Sequence, residues 1–126
     1  MGIFDKFATK VTNESSLDWN ALTEIKQLDE IMSESADVPV VIFKHSTRCG
    51  ISRMALKGFE VDFNYAGDEI KPYYLDLLHY REVSNAVAEK FDVWHQSPQI
   101  ILIKNGNAIF DTSHGDIDAT ALRNKI

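Results

Sequence analysis

Apolar positions in this chain alternate between two rhythms. In "EIKQLDEIMSESA" (24–36), Ile25, Leu28, Ile31 and Met32 recur at three- and four-residue spacing, which predicts an amphipathic helix. "VPVVIFK" (38–44) is a short apolar run rich in β-branched residues, the pattern of a strand buried on both faces. From Cys49 to Phe63 the period is helical again, with Met54, Leu56 and Phe59 as core candidates. "KPYYLDL" (71–77) reads as a strand, with Pro72 at its beginning, where a missing N–H is tolerated. "REVSNAVAEKF" (81–91) predicts a helix burying Val83, Val87 and Phe91, and "PQIILIK" (98–104) a second strongly apolar strand. "NGN" (105–107) is a hairpin turn, since Asn-Gly readily takes positive φ, and "AIFDTS" (108–113) returns antiparallel. "WNALT" (19–23) supplies a short first strand, and "DIDATALRNKI" (116–126) a closing helix capped by Asp116 or Asp118. The order β-α-β-α-β-α-β-β-α is that of an α/β fold, a mixed central sheet flanked by helices. Residues 1–17 stand apart from this domain of 18–126. Ile3, Phe4, Phe7 and Val11 share a helical spacing that "TNESS" then breaks, so a loosely docked N-terminal extension is expected.

Composition narrows the function. The 126 residues suit one domain with one sizeable core. The net charge of −6, without a basic tract, speaks against nucleic acid as a partner. No apolar stretch approaches the ~20 residues that span a bilayer, so no membrane partner is expected. The N-terminal residues lack the pattern of a signal peptide. A single cysteine excludes an internal disulfide and suits a reducing compartment, so the expectation is a soluble cytoplasmic protein. No Gly-rich phosphate loop occurs.

That cysteine, Cys49, stands in "KHSTRCGIS" (44–52), between the second strand and the second helix. The first N–H groups of a helix lack internal acceptors, and the helix dipole puts partial positive charge there. Both favour a thiolate, the nucleophile of thiol–disulfide exchange. Lys44, His45 and Arg48 are close in sequence and are expected to add positive potential. Three residues past Cys49, where a dithiol motif has its second cysteine, is Ser52, whose hydroxyl cannot attack a disulfide. From the residues alone three readings stay open: an enzyme nucleophile, a redox sensor or peroxide scavenger, and an inert small residue in a non-catalytic adaptor. Far along the chain, Pro98 opens the fourth strand. In this topology its loop lies beside the Cys49 helix start. Trans is the ordinary isomer there, whereas a cis Ser97–Pro98 bond would free the Ser97 backbone to pair with an extended substrate.

The element order, the cysteine opening the second helix and the proline opening the fourth strand resemble the thioredoxin fold. More narrowly, "FKHSTRCGIS" (43–52), "HQSPQIILIKNG" (95–106) and "SHGDI" (113–117) resemble the monothiol bacilliredoxins. The resemblance extends over roughly residues 19–126. It implies a thiol–disulfide oxidoreductase that removes a low-molecular-weight thiol from mixed disulfides on proteins. Cys49 would be the nucleophile, with Thr47, Arg48, Gly50, Ile51 and Ser52 supporting it and Ser97 and Pro98 positioning the substrate. No bound cofactor is implied. Bacillithiol would be the co-substrate, and S-thiolated client proteins and the small thiol or its reductase the partners. Two departures from the family pattern bear on reactivity and turnover. Arg48 separates Thr47 from the cysteine. Gly50 replaces the usual proline, leaving the first helical turn less rigid.

Other side chains point elsewhere. His45, Cys49, His95 and His114 fit no common zinc spacing, so no metal is expected. His95 and His114 read as structural or surface residues and Trp94 as a packing residue. Tyr73, Tyr74 and Tyr80 read as core or rim, and Asp111, Asp116 and Asp118 as turn and cap residues.

Overall fold

A computed structural model describes residues 17–126. The extension predicted for 1–17 lies outside the described residues except for Leu17, which packs against one of the two cores. The elements are β1 (Asn20–Ala21), α1 (Gln27–Glu34), β2 (Val40–His45), α2 (Gly50–Asp62), β3 (Lys71–Asp76), α3 (Arg81–Lys90), β4 (Gln99–Lys104) and β5 (Asn107–Ser113). Two 3-10 segments, His114–Asp116 and Ala119–Asn124, follow. The five strands form one sheet in the order β1-β3-β2-β4-β5. β1, β3 and β2 run parallel, β4 pairs antiparallel with β2, and β5 pairs antiparallel with β4.

The unbroken apolar runs became the two central strands, as their composition requires. Every residue of β2 is buried, and so is β4 up to Ile103. Period-2 alternation divides the sheet into two cores. Ile42, Tyr73, Leu75, Ile101 and Ile103 meet Leu28 and Ile31 of α1 and Val83 and Val87 of α3 on one face. Val41, Phe43, Ile100 and Leu102 meet Phe59 of α2 and, from the C-terminal segment, Ala119 and Leu122 on the other. Each large aliphatic side chain so buried contributes about 1.5–3 kcal/mol.

Several local expectations are corrected. β1 is only two residues long, and Trp19 before it stacks on Phe59 and donates to Glu60 Oε2 at 2.7 Å. α1 begins at Gln27, whose Oε1 accepts from the Thr23 and Glu24 N–H groups at 2.7 and 2.9 Å. Ile25 therefore lies in the preceding turn, exposed, and Met32 falls at the margin of the buried face. In α2 the inward stripe is Ser52, Ala55, Leu56, Phe59 and Phe63. Met54 is off that stripe and 76% exposed, not a core residue.

The closing segment is not an α-helix. In one, the Arg123 N–H would donate to the Ala119 carbonyl. Here the Tyr65 hydroxyl is inserted between them, donating to Ala119 O at 2.8 Å and accepting from Arg123 N at 3.1 Å. The tighter 3-10 winding results. Its cap is Asp118, which accepts from Thr120 N at 3.0 Å, and not Asp116, which lies within the first short segment. The Asn105–Gly106 turn takes positive φ at both residues, 53° and 79°. Its N–H groups dock on Ser35 O and Ser35 Oγ, both at 2.8 Å.

Candidate functional site

β2 ends at His45, and Ser46–Arg48 cross to the start of α2 with Cys49 at the N-cap. Cys49 has extended backbone (φ −110°, ψ 123°), as an N-cap residue does, and is a partly exposed free thiol. Its N–H donates to Ser46 O at 3.2 Å, and its carbonyl accepts the first helical bond from Arg53 N at 3.0 Å. Thr47, Arg48, Gly50 and Ile51 around it are all exposed. The Arg53 guanidinium curls back toward this loop, with Nη1 at 3.4 Å from Thr47 O. A Cβ at Gly50 would sit 3.7 Å from Arg53 Nη2, an ordinary contact, so packing does not demand the glycine.

Ser52 behaves differently from its neighbours. It is fully buried, and its Oγ accepts from the Ser46 N–H at 3.0 Å and lies 2.8 Å from His45 Nδ1. Its hydrogen bonds go to the strand end and not to the thiol. With one lone pair on the Ser46 N–H, the hydroxyl is free to donate to a neutral His45 Nδ1. Burial pushes the His45 imidazole down; Asp76 opposes this, and Arg53 adds to it. His45 is thus held toward its neutral form, and the positive potential expected from it at Cys49 is corrected to a hydrogen-bonding role.

The second loop, residues 92–98, descends from α3 to β4. The Ser97–Pro98 peptide is cis, not the ordinary trans isomer. The antiparallel register pairs Lys44 with Gln99. One step further sets Pro98 across from His45, at the end of β2 from which the Cys49 loop departs. Pro98 is buried, Ser97 is half-buried, and Pro98 O accepts from His114 N at 3.1 Å. Both loops therefore leave the same end of the central strands. Over residues 20–122 the chain matches the family model described as monothiol bacilliredoxin BrxC.

The chain belongs to the monothiol bacilliredoxin family.

Solved structures agree on the fold of this bacilliredoxin-family chain. It is 33% identical to a thioredoxin-fold protein assigned as an oxidoreductase, with a TM-score of 0.71 over 83% of this chain and 90% of that one. The thioredoxin of Malassezia sympodialis is 21% identical, with a TM-score of 0.64 over 90% of this chain and 91% of that one. The thioredoxin of Trypanosoma brucei brucei is 20% identical, with a TM-score of 0.64 over 86% and 87%. The fold is that of thioredoxin, and the family's role is of the thiol oxidoreductase type.

Strand alternation separates two residues that sequence proximity had grouped. Lys44 points away from α2, to the α3 face, and is fully buried. Its Nζ donates to Ser84 O at 3.1 Å and meets His95 Nδ1 at 3.2 Å, so it does not join Arg48 beside the thiol. Burial pushes the Lys44 amine down to about 8. Once "VPVVIFKH" is read as a strand, the alternation of successive side chains is the signal that residues 44 and 45 face opposite ways. Trp94 is 90% exposed, not a packing residue, because Gln99 Nε2 donates to its carbonyl at 2.9 Å and holds the loop backbone out. His95 and His114 are exposed. Tyr73 is buried, and Tyr74 and Tyr80 are half-buried.

Proposed function

We propose that this protein removes a low-molecular-weight thiol from mixed disulfides on client proteins, with Cys49 as the nucleophile. The observation that carries the reading is the pairing of a partly exposed thiol at a helix N-cap with a buried Ser52 where a dithiol enzyme has its second cysteine. The unpaired N–H groups at the start of α2 and its dipole favour negative charge at that end. The Cys49 thiolate attacks the sulfur of the small thiol. The mixed disulfide breaks, the client leaves as a thiolate and takes a proton from water, and a new disulfide joins Cys49 to the small thiol. With no second cysteine in the chain, this adduct waits for an external thiol or a reductase, which takes the small thiol and returns Cys49 as thiolate.

Family membership supports bacillithiol as that small thiol and S-thiolated proteins as the clients. In this reading the Ser97 backbone beside Pro98 pairs with the client segment around its modified cysteine. Thr47 and Arg48 border the approach, and the backbone of Gly50 and Ile51 forms the helix start that receives the charge. Ser52 fixes the loop and does not touch sulfur. No bound cofactor or metal takes part, and a reducing cytoplasm is the compartment that suits a lone working thiol.

The test is transfer from a client protein carrying bacillithiol on one cysteine. Wild type is expected to gain a single bacillithiol mass increment on Cys49 while the client recovers its free thiol. Cys49→Ser is expected to abolish transfer and leave the fold intact. Transfer retained by Cys49→Ser, or none by wild type from bacillithiol, glutathione or coenzyme A disulfides, would replace the enzyme with a non-catalytic adaptor.

A further inference from the structure

Among the described residues, Lys44 is the only Lys, Arg, Asp or Glu that is buried, and it has no carboxylate partner. A buried amine without a counter-charge burdens the folded state. Its two contacts show what the fold gains from it. One is a carbonyl of α3, at Ser84, and the other is the ring of His95 in the loop that leads to Ser97–Pro98. A lysine ammonium only donates, so His95 Nδ1 accepts and the ring hydrogen sits on Nε2. Burial first, then the positive charges of Lys44 and Arg81, push the His95 imidazole down, which keeps Nδ1 available as that acceptor.

The cross-strand partner of Lys44 reaches the same loop. Gln99, also fully buried, donates from Nε2 to Trp94 O at 2.9 Å and accepts at Oε1 from Gln96 N at 3.2 Å. Two adjacent polar side chains on the buried central strands thus grip three consecutive residues, 94, 95 and 96.

We propose that Lys44, acting through His95, is a positioning residue that holds the 94–97 segment in the geometry that receives the client disulfide. This rests on the de-thiolation reading above. A plain structural anchor and a positioning residue predict opposite signatures. Removing an anchor lowers stability. Replacing Lys44 by the apolar, similarly long methionine removes a buried charge, so it relieves the fold while releasing the loop.

The experiment compares Lys44→Met, His95→Ala and the double variant with wild type, in the full chain, on a bacillithiolated client protein. Lys44→Met is expected to melt about 7 °C higher than wild type. Its KM should nevertheless rise about tenfold while kcat changes by less than about twofold, the pattern of lost binding rather than lost chemistry. His95→Ala should raise KM to a similar degree, the double variant should be no worse than either single one, and His95→Gln, which keeps an acceptor, should recover most of the loss. A KM for Lys44→Met within about twofold of wild type, or single effects that multiply in the double variant, overturns the proposal. A second readout needs no activity. With 5-fluorotryptophan incorporated, the Trp94 fluorine resonance should shift or broaden in Lys44→Met and His95→Ala while that of Trp19 stays in place. If wild type transfers nothing, the de-thiolation reading fails on its own, and an unmoved Trp94 resonance in both variants overturns the clamp as well.

Discussion

Two lysines on one face of the sheet, Lys71 and Lys44, live in opposite circumstances. Lys71 opens β3 beside Val40, at the end of the sheet far from Cys49, and its Nζ lies 2.7 Å from Glu34 Oε2. The Tyr73 hydroxyl donates to the other oxygen of Glu34, also at 2.7 Å. Burial alone would push the Glu34 carboxyl up. The hydrogen bonds from Lys71 and Tyr73, with the Lys71 charge, bring it below its usual range instead. The next residue, Ser35, anchors the β4–β5 turn, so α1, β3 and the hairpin are stitched together there. At the other end of the same face Lys44 is more deeply buried and has only a carbonyl and a neutral ring. The Ser84 hydroxyl nearby is buried without a partner, and Ile51, Met54 and Trp94 are exposed. Local consistency is kept at the far end and relaxed at the end where, under the proposed function, the client protein enters.

The comparison can be broken at the far end. Glu34→Ala takes the carboxylate from Lys71 and the acceptor from Tyr73, and is expected to cost about 2 kcal/mol by urea unfolding at neutral pH, with transfer kinetics unchanged. Because the folded carboxyl lies below its usual 4.5, this advantage is present above that pH and is lost as pH falls through the folded value. Wild type and variant should therefore converge in acid.

At the near end the sign reverses. Lys44→Met is expected to gain on the order of 2 kcal/mol at neutral pH, after allowing for solvent near His95. The folded amine titrates near 8 against an ordinary 10.5. Above 10.5 the amine is neutral in both states and its charge costs nothing. The burden grows as pH falls from 10.5 to 8 and is constant below. The stability gap between variant and wild type should be flat around neutrality and close toward pH 10.5, and a gap independent of pH across that window would refute the account.

A smaller effect separates the two loops of the site. Ser52→Ala leaves the Ser46 N–H and His45 Nδ1 without their shared partner and is expected to cost about 1 kcal/mol. It should also broaden the amide resonances of Ser46–Cys49 while those of residues 94–97 keep their wild-type line widths, since the second loop is held by Gln99 and Lys44.

What the sequence revealed follows the range of the forces involved. The central strands, the N-cap position of Cys49 and the Asn-Gly turn rest on local periodicity and turn chemistry, and each stands where the pattern places it. The closing segment does not, because the group that alters its winding, the Tyr65 hydroxyl, is 54 residues from Ala119. Met54 is exposed through the phase of its helix. The helical period in α2 is real, but two interleaved apolar stripes share it, and Ser52 belongs to the buried one. Lys44 and His45 are neighbours in sequence only, because alternation in a strand sends them to opposite faces. Trp94 illustrates a limit of hydrophobicity as a guide, because backbone bonds to Gln99 and Lys44's contact with His95 decide where that loop runs.

The Ser52 hydroxyl has a consequence for the history of such enzymes. In principle a monothiol protein is one substitution from a dithiol one, by exchanging serine for cysteine three places after the nucleophile. In this chain that exchange subtracts before it adds. A thiol is a weak donor and a weak acceptor, so it would serve the Ser46 N–H and His45 poorly, and the loop carrying Cys49 would loosen as the new sulfur arrived. A lineage starting here meets a descending step on the shortest route to an internal disulfide, and a compensating change at position 45 or 46 would have to come first.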